Sequence, residues 1–399
     1  MRMLVVTYGL PWPIMEGSKI RDYHLLRESA KESEVILLCL CKDDRSHPDP
    51  AEVRRFCAEV ETYVPPERGS WTLAGRHWRA GRPLAAFPFY FEPFARRITE
   101  LAQRHKVDLV QIEHSFLAPY RESIPAGCPA ILSLHNIGER QYSSMVKLSG
   151  AGLRGVLKAV SMRGWEADWA RRYDHCITVS ADEAEWLRQR APRLAITVIE
   201  NGVDCDRLRP LPPPAAGNDL LFVGVLGYPP NADAVLQFVR HTLPLLRCST
   251  PDARLLMVGR NPRRDVRALA AADGVELHED VPDVTPFYQR ARVCVVPLRA
   301  GGGTRVKILE AMALGRPVIS TPEGCEGLEV AHENQLLVAD CPAAMAAQVA
   351  RLLANPPLAD GLCVRARRWV EERHDWRTLG ARLRQLHRGV LARQARATP

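Results

Sequence analysis

Residues 293–321 read VCVVPLRAGGGTRVKILEAMALGRPVIST, and this stretch decides the fold of the second half of the chain. Its first four residues are small or β-branched, which predicts a short buried strand. The three glycines at 301–303 predict a turn whose backbone can adopt positive φ and let a ligand approach. From Thr304 apolar residues recur at helical spacing until Gly315, and a second strand is predicted at 317–320. The stretch therefore predicts a strand, a glycine loop, a helix and a strand.

The start of this predicted helix is a candidate site for an anion, most simply a phosphate. Exposed N–H groups at a helix start, with the helix dipole behind them, attract negative charge. Arg305 and Lys307 could each add a positive charge, and Glu310 could accept hydrogen bonds from the hydroxyl groups of a ribose. Glycine-rich turns also occur in many α/β proteins as simple structural turns, so the loop alone leaves both interpretations open.

The sequence EAMALGRPV, at residues 310–318, resembles the donor-site segment of family 4 glycosyltransferases, which are retaining enzymes of the GT-B fold. In that family a first glutamate contacts the donor sugar, and Gly302 stands at its position here. Some members carry a Gly-Gly-Gly-Thr-Arg-x-Lys loop instead, and residues 301–307 look like that branch. The resemblance implies an α/β protein with two doubly wound, Rossmann-like domains facing across a cleft.

Strand-like runs alternate with helical spacing in both halves of the chain, which predicts a mostly parallel, doubly wound sheet in each half. An Asn-Gly-Val-Asp segment at 201–204, followed by clustered prolines, predicts the connection between two domains. We predict an acceptor-binding domain over 1–204 and a nucleotide-sugar-binding domain over 205–375. The resemblance implies that a final helix, over 376–399, crosses back to the first domain.

Length and composition indicate an ordinary globular protein with two cores, since 399 residues are 46% hydrophobic and 25% charged. The formal charge of +8 favours anionic partners. The eleven cysteines form no Cys-x-x-Cys or Cys/His ligand spacing, so we expect a reducing compartment and no metal site. The first residues read as a strand rather than a signal peptide, and no long apolar run predicts a membrane span. We therefore predict a cytoplasmic location.

Residues 71–94 interleave seven aromatic side chains with arginine and histidine. This pattern suits a membrane interface, where rings lie among headgroups and arginine meets phosphate, and it could serve a lipid-linked acceptor. It also suits a helix that packs on the core with a basic face. A nucleic-acid surface fits least well, because it rests on charge alone. Peripheral contact with the inner face of the membrane and a core helix therefore both remain open.

Two histidines follow predicted strands of the first half. His114 comes after the strand at 109–113, and His135 comes after the strand at 130–134. In parallel α/β sheets the ligand crevice lies at the carboxyl ends of the strands, so both are placed where chemistry could occur. A histidine there can donate a hydrogen bond or shuttle a proton, although a lone histidine is more often structural. The resemblance favours His135, because family 4 members commonly carry a histidine near the sugar and acceptor.

The resemblance implies a set of site residues in this chain. The predicted catalytic residues are His135, Arg305 and Lys307. The predicted nucleotide-sugar-binding residues are Gly17, Asn231, Arg260, Val281, Gly302, Gly303, Thr304, Arg305, Lys307 and Glu310. The family usually places an arginine and a lysine in the loop at 224–231, and neither is present, so Arg260 is a candidate replacement. The alternative interpretation of Asn231 is a simple helix N-cap.

These observations predict a retaining glycosyltransferase that moves a sugar from a nucleotide diphosphate donor to a saccharide, lipid-linked or small-molecule acceptor. The resemblance implies that neither a metal nor a further cofactor takes part. One alternative is a nucleotide-sugar 2-epimerase of the same fold, which would need carboxylates at strand ends. Another is a noncatalytic or partner-activated scaffold, which the missing first glutamate and the missing Arg/Lys pair favour.

Overall fold

The protein is described by a computed structural model that covers residues 1–14, 17–42, 49–65, 89–149, 162, 164–214, 217–301 and 304–397. The chain divides into two compact units. The first unit comprises Met1–Ser143, Gly152–Glu200 and Trp376–Pro399. The second unit comprises Ser144–Ala151 and Asn201–Asp375.

The described part of the first unit contains a seven-stranded parallel sheet. Its strands are β1 (Arg2–Tyr8), β2 (Glu34–Leu40), β3 (Glu59–Tyr63), β4 (Leu109–Glu113), β5 (Ala130–Ser133), β6 (His175–Thr178) and β7 (Ile196–Val198). They pair in the order β3-β2-β1-β4-β5-β6-β7. The helices are α1 (Gly17–Ser29), α2 (Ala51–Arg54), α3 (Glu92–Arg104), α4 (Gly138–Ser149), α5 (Trp165–Ala170) and α6 (Ala181–Arg190), with a 3₁₀ helix at Ser115–Ser123. The central strands are apolar because both faces of a parallel sheet are covered.

The described part of the second unit contains a six-stranded parallel sheet. Its strands are β8 (Asn218–Val223), β9 (Ala253–Gly259), β10 (Val275–Glu279), β11 (Val293–Val296), β12 (Val318–Ser320) and β13 (Leu337–Val338). They pair in the order β10-β9-β8-β11-β12-β13. The helices are α7 (Pro229–Gln237), α8 (Leu243–Ser249), α9 (Arg264–Ala268), α10 (Thr285–Arg290), α11 (Val306–Ala313), α12 (Pro342–Ala354) and α13 (Pro356–Arg373).

The strand order of each sheet reverses once, between β1 and β4 in the first unit and between β8 and β11 in the second. At such a reversal the helices on either side leave a crevice at the carboxyl ends of the strands, where ligands bind. The prediction of two doubly wound, Rossmann-like halves is confirmed. The two crevices are therefore the first places to look for a functional site.

The last helix, α14 (Trp376–Ala397), packs on the first unit. Trp376 is buried and its indole stacks on the ring of His24 in α1, with the ring centroids 5.2 Å apart. Arg384 adds an ion pair of 2.8 Å to Glu28, which is also on α1. Buried apolar residues at helical spacing complete the contact with the first core: Leu379, Leu383, Leu386 and Val390. The chain therefore ends in the unit in which it began.

None of the helices in the described ranges is long and apolar enough to cross a membrane. The aromatic segment predicted for membrane contact covers residues 71–94. Residues 71–88 of it lie outside the described residues. Its described end packs inward: Phe94 is fully buried, and its ring lies 4.9 Å from that of Tyr120. The ring of Phe89 also contacts that of Phe116, with the centroids 4.3 Å apart. At this end of the segment Phe94 therefore belongs to the core, and Phe89, Tyr90 and Phe91 pack against it.

Candidate functional site

The crevice of the second sheet lies beside Gly224, the first residue after β8. A Cβ atom at this position would lie 2.7 Å from Nζ of Lys307 and 2.9 Å from Nδ2 of Asn231. Both distances are too short for a carbon atom, so a side chain at 224 would displace two polar groups from the crevice. Glycine at this turn therefore leaves the space that the lysine occupies.

Lys307 is held at this edge by two contacts. Its Nζ donates a hydrogen bond of 2.9 Å to Oδ1 of Asn231 and lies 4.1 Å from the centre of the Phe222 ring. Nδ2 of Asn231 donates to the carbonyl oxygen of Val225 at 3.0 Å, which fixes the amide orientation. The N-cap interpretation of Asn231 is wrong, because α7 begins at Pro229 and the asparagine lies inside its first turn. The helix instead presents the amide to the lysine.

Two titratable groups of α11 have strongly altered pKa values. Burial, together with the charge of Arg305, lowers the pKa of Lys307 to about 7. Burial raises the pKa of Glu310 to about 7, against the opposing charges of Lys307 and Arg207. Lys307 and Glu310 are three residues apart and so lie on the same helix face. Near neutral pH the protonation of both groups will therefore respond to a bound ligand.

Helix α11 begins later than the sequence suggests. Its first residue is Val306, and Arg305 precedes it with extended backbone angles of φ −93° and ψ 93°. The prediction that Thr304 caps the helix and that Arg305 lies one residue into it is therefore wrong, because Arg305 itself occupies the cap position. The guanidinium of Arg305 is buried, donates to the carbonyl oxygen of Glu323 at 3.4 Å, and lies where a Cβ at Gly301 would meet it at 2.8 Å. Arg305 thus lies beside Gly301 and precedes the helix.

The remaining predicted binding residues lie at several places. Thr304 is buried, and its hydroxyl meets no hydrogen-bond partner within the part of the chain that the structure describes. Arg260 follows β9 and lies 3.5 Å from Asp280, and Val281 packs against the core of the second unit. Gly17 is exposed and opens α1 in the first unit. Gly302 and Gly303 lie outside the described residues.

The crevice of the first sheet contains a cluster of four ionisable groups. The rings of His114 and His135, which follow β4 and β5, have centroids 3.9 Å apart. Nε2 of His135 donates a hydrogen bond of 2.9 Å to Glu113 and lies 3.1 Å from a carboxylate oxygen of Asp22. The other Asp22 oxygen lies 3.5 Å from Nε2 of His114. The two histidines predicted at this edge are thus brought together by two acidic residues.

The charges in this cluster are set by mutual contact. Burial opposes a charge on His135, but Asp22 and Glu113 outweigh it and raise the pKa of His135 to about 9. Burial and the charge of His135 lower the pKa of His114. For Asp22, burial alone would raise the pKa, yet the charge of His135 holds it well below its usual range. At neutral pH the cluster therefore contains two carboxylates, one imidazolium and one neutral imidazole.

The backbone around the cluster is strained and firmly supported. His114 has φ 72° and ψ 136°, a combination that costs a non-glycine residue about 1–3 kcal/mol and is found mainly at functional sites. The loop after β5 is held by two buried carboxylates: Glu166 accepts from the backbone N–H of Gly138 at 2.9 Å, and Glu183 accepts from that of Ile137 at 3.2 Å. These contacts fix the segment that presents His135.

Asp22 was not predicted from the sequence, although a signal for it exists. The spacing of apolar residues in α1 indicates an ordinary core-facing helix, yet Arg21, Asp22 and His24 interrupt it and all three are buried. Charged residues are almost never buried unless they are paired. A polar run inside an apolar helix face at the first crevice therefore indicates partners at that crevice.

Comparison with known proteins gives matches over most of the chain. A family model described as "Glycosyltransferase Family 4" matches residues 23–207, and one described as "Glycosyl transferases group 1" matches residues 217–355. The glycogen synthase of Mycobacterium tuberculosis is 28% identical over 423 residues, which cover 97% of this chain and 94% of that protein.

Two further matches add to this. A GDP-mannose-dependent alpha-(1-6)-phosphatidylinositol monomannoside mannosyltransferase of Mycobacterium tuberculosis is 30% identical over 276 residues, which cover 60% of this chain and 71% of that protein. The crystal structure of HepE from Anabaena in complex with UDP superposes with a TM-score of 0.71 at 14% identity, and covers 98% of this chain and 100% of that one. At that identity the superposition speaks for the fold alone.

Proposed function

Because this chain belongs to the family 4-like glycosyltransferases of the GT-B fold, we propose that it transfers a sugar from a nucleotide diphosphate donor with retention at the anomeric carbon. The acceptor is a saccharide, a lipid-linked saccharide or a small molecule. The names of the relatives support a nucleotide donor, since the mannosyltransferase depends on GDP-mannose and HepE binds UDP. Contact with a membrane through residues 71–94 stays a prediction.

The observation that carries this proposal is the position of Lys307 at the crevice of the second sheet. As the glycosidic bond breaks, the leaving diphosphate gains negative charge, and cations already aimed at it lower the barrier. Lys307 is held there by Asn231 and Phe222, and a bound diphosphate would raise its lowered pKa and keep it charged. Thr304 and Arg305 are the two residues just before α11. The Thr304 hydroxyl and the Arg305 guanidinium would bind the same diphosphate. These side chains supply the positive charge in our proposal without a metal.

We propose further that the first unit binds the acceptor and that His135 contacts the sugar being transferred. His135 lies at the crevice of the first sheet, where the carboxyl ends of β4 and β5 present it. The side chain is only 9% exposed, so a substrate that reaches it is shielded from water. Exclusion of water limits hydrolysis of the donor.

A product analysis tests the proposed function. Purified protein is incubated with UDP-, GDP- and ADP-sugars and a panel of acceptors, with and without EDTA, and products are identified by NMR. An α-linked product from an α-linked donor supports retention, whereas an inverted linkage contradicts it. The nucleotide-sugar 2-epimerase is not favoured by the matched proteins, and an epimerised sugar without transfer would reverse that. Binding without turnover would favour a noncatalytic scaffold.

Replacement of Glu310 by alanine is expected to weaken the binding of a nucleoside diphosphate. A ribose whose hydroxyl groups donate to this carboxylate would lose charged hydrogen bonds worth about 1.5–3 kcal/mol, which is roughly tenfold to hundredfold in affinity. Isothermal titration calorimetry with UDP and GDP measures the effect. Asp360→Ala, on α13, serves as the control. An unchanged affinity for Glu310→Ala would refute the assignment of this residue to the ribose.

The affinity for a nucleotide sugar is expected to be greatest near pH 7. Above this pH the free protein loses the proton of Lys307, whose pKa is about 7, and must regain it to bind a diphosphate. Below it the free protein protonates Glu310, whose pKa is also about 7, and must release that proton to accept from ribose. Affinity should therefore fall by up to about tenfold per pH unit on either side.

Calorimetry with a nucleotide sugar is the suitable measurement, because its diphosphate is esterified at both ends and does not titrate in this range. Glu310→Gln should remove the loss of affinity on the acid side and leave the loss on the alkaline side. An affinity that does not change between about pH 6 and about pH 8 would count against both assignments.

A further inference from the structure

Nε2 of His135 is shared by two carboxylates that come from different elements. Glu113, at the end of β4, places an oxygen 2.9 Å from this nitrogen, and Asp22, on α1, places one 3.1 Å away. A neutral imidazole could offer one proton at this nitrogen, but two anions this close favour the charged form of the ring. The geometry therefore holds the ring in one plane and in one protonation state.

Glu113 is fixed in turn by a buried hydrogen-bond chain that reaches the last helix. Its other oxygen accepts from the amide nitrogen of Gln111, also on β4. The amide oxygen of Gln111 faces Nε2 of His387, on α14, at 2.8 Å. Since an amide oxygen can only accept, Nε2 of His387 carries the hydrogen, and burial lowers the pKa of His387 to about 4 and keeps it neutral. Every donor in the chain thus points toward the carboxylate of Glu113.

A divalent cation is the main alternative occupant of this cluster. Asp22, His114 and His135 each place one ligand atom within 4.8 Å of the others. However, the charges are already balanced: Asp22 and Glu113 are negative, while His135 and the buried Arg21 beside them are positive. A divalent ion would have to displace the proton of His135 and would leave a net positive charge in buried surroundings, which is costly. This balance of charges favours a protonated His135 over a bound divalent ion.

We propose that Asp22 and Glu113 are positioning residues that hold His135 as an imidazolium with a fixed ring plane. This inference rests on the proposed function for the role of His135 in transfer. A ring that is already protonated at neutral pH cannot take a proton from the acceptor. His135 therefore serves the reaction as a hydrogen-bond donor and a positive charge, rather than as a general base.

Among the described residues, charged or titratable groups face His135 from α1 and from the end of β4. They are Asp22 from α1, Glu113 from β4, and His114, which follows β4. Arg21, also on α1, interacts with the two carboxylates. Of these, His114 is neutral at physiological pH, so the carboxylates decide the charge. His387 extends the set through Gln111 and acts on the orientation of Glu113.

Nitrogen NMR of the full chain tests the inference without any substrate. The twelve histidines are labelled with ¹⁵N, and the His135 signals are assigned by comparison with His135→Gln. We expect both ring nitrogens of His135 to be protonated at pH 7.5, with a midpoint at about pH 9. Asp22→Asn should move that midpoint down toward about 6.5. Asp182→Asn, which changes an exposed aspartate on α6, should leave it unchanged.

Three results would overturn the inference. They are a singly protonated His135 at pH 7.5, a midpoint that Asp22→Asn leaves unchanged, and loss of the His135 proton on addition of one equivalent of ZnCl₂. The third would assign the cluster to a metal. The spectra are independent of the transfer assay, so a protein that transfers no sugar but shows the imidazolium would refute the proposed function and support the inference.

A second set of variants tests the chain from α14. His387→Leu should lower kcat by about tenfold with little change in KM, because a loosened Glu113 allows the His135 ring to tilt. His387→Gln, which can still donate to Gln111, should restore most of the rate. Arg384→Ala loosens the same helix at its contact with Glu28 and is the control for a merely structural effect. Equal losses in His387→Leu and Arg384→Ala would contradict the positioning role.

Discussion

Lys307→Ala is expected to lower kcat by about 10²–10³-fold, the usual effect of removing one fixed group that stabilises charge in a transition state. The amino group lies at the crevice of the second sheet, and Asn231 holds it in place at 2.9 Å. It is the side chain best placed to neutralise a leaving diphosphate. Initial rates at saturating donor, with the product analysis described above, measure the effect.

Two further substitutions at the same position separate charge from packing. Lys307→Met keeps the length of the stem over the Phe222 ring and removes the charge, so it should be as slow as Lys307→Ala. Lys307→Arg keeps the charge in a different shape and should retain part of the rate. Because burial already disfavours the lysine charge, Lys307→Met should fold at least as stably as the wild type. A wild-type rate in Lys307→Met would show that the charge has no part in transfer.

Gly259→Ala is expected to destabilise the second unit by about 3 kcal/mol or more, the upper range for overpacking. A Cβ atom on Gly259, the last residue of β9, would lie 1.7 Å from the carbonyl oxygen of Gly224. That oxygen belongs to the backbone beside β8, and the N–H of Gly224 is bonded to Val258 at 3.0 Å. The clash cannot be relieved without separating two central strands at the crevice.

Hydrogen exchange read by mass spectrometry measures this destabilisation unit by unit, which matters because two units need not unfold together. Peptides from β8 and β9 should exchange faster in Gly259→Ala, while peptides from β1 and β4 should not change. Gly389→Ala, on α14, is the matched control, since an added Cβ there meets its nearest atom at 3.9 Å. Alanine should be neutral or stabilising at that helical position. Protection of β8 equal to wild type would contradict the predicted clash.

The two crevices differ in their chemistry. The crevice of the second sheet presents Lys307, whose charge is disfavoured by burial. A negatively charged ligand would stabilise the charged form of this lysine. The crevice of the first sheet presents an imidazolium that is already neutralised by two carboxylates. The first crevice therefore needs no anion and suits a neutral sugar or hydroxyl acceptor, whereas the second suits a diphosphate.

Much of the fold could be predicted because it follows from local patterns. Apolar runs separated by glycine turns and helical spacing indicate parallel strands with crossover helices, and both sheets confirm this. The sequence predicts the start of α11 one residue too early, because Thr304 is a good cap by residue type but Arg305 has an extended backbone and takes the cap position. The first residue of a helix also depends on side chains that pack around the preceding loop, and these come from distant parts of the sequence.

Less of the candidate site could be predicted. Both histidines were expected at strand ends, and the lysine was expected at the glycine loop. The sequence does not indicate that the Asn231 side chain would accept a hydrogen bond from Lys307, because the two residues are 76 positions apart. Nor does it indicate that His387 would contact Gln111, since 276 positions separate them.

By itself the sequence determined two Rossmann-like halves, a glycine loop beside a lysine in the second, and membership in a family of glycosyltransferases. Those conclusions depend on hydrophobic periodicity and on short motifs, and both are formed by residues that are close together in the sequence. Only the tertiary structure decided that Asp22, Glu113 and His135 meet, and that Lys307 is buried enough for its pKa to fall to about 7. Protonation states depend on which distant groups are packed together and on how much water they exclude, and packing of that kind exists only in the folded chain.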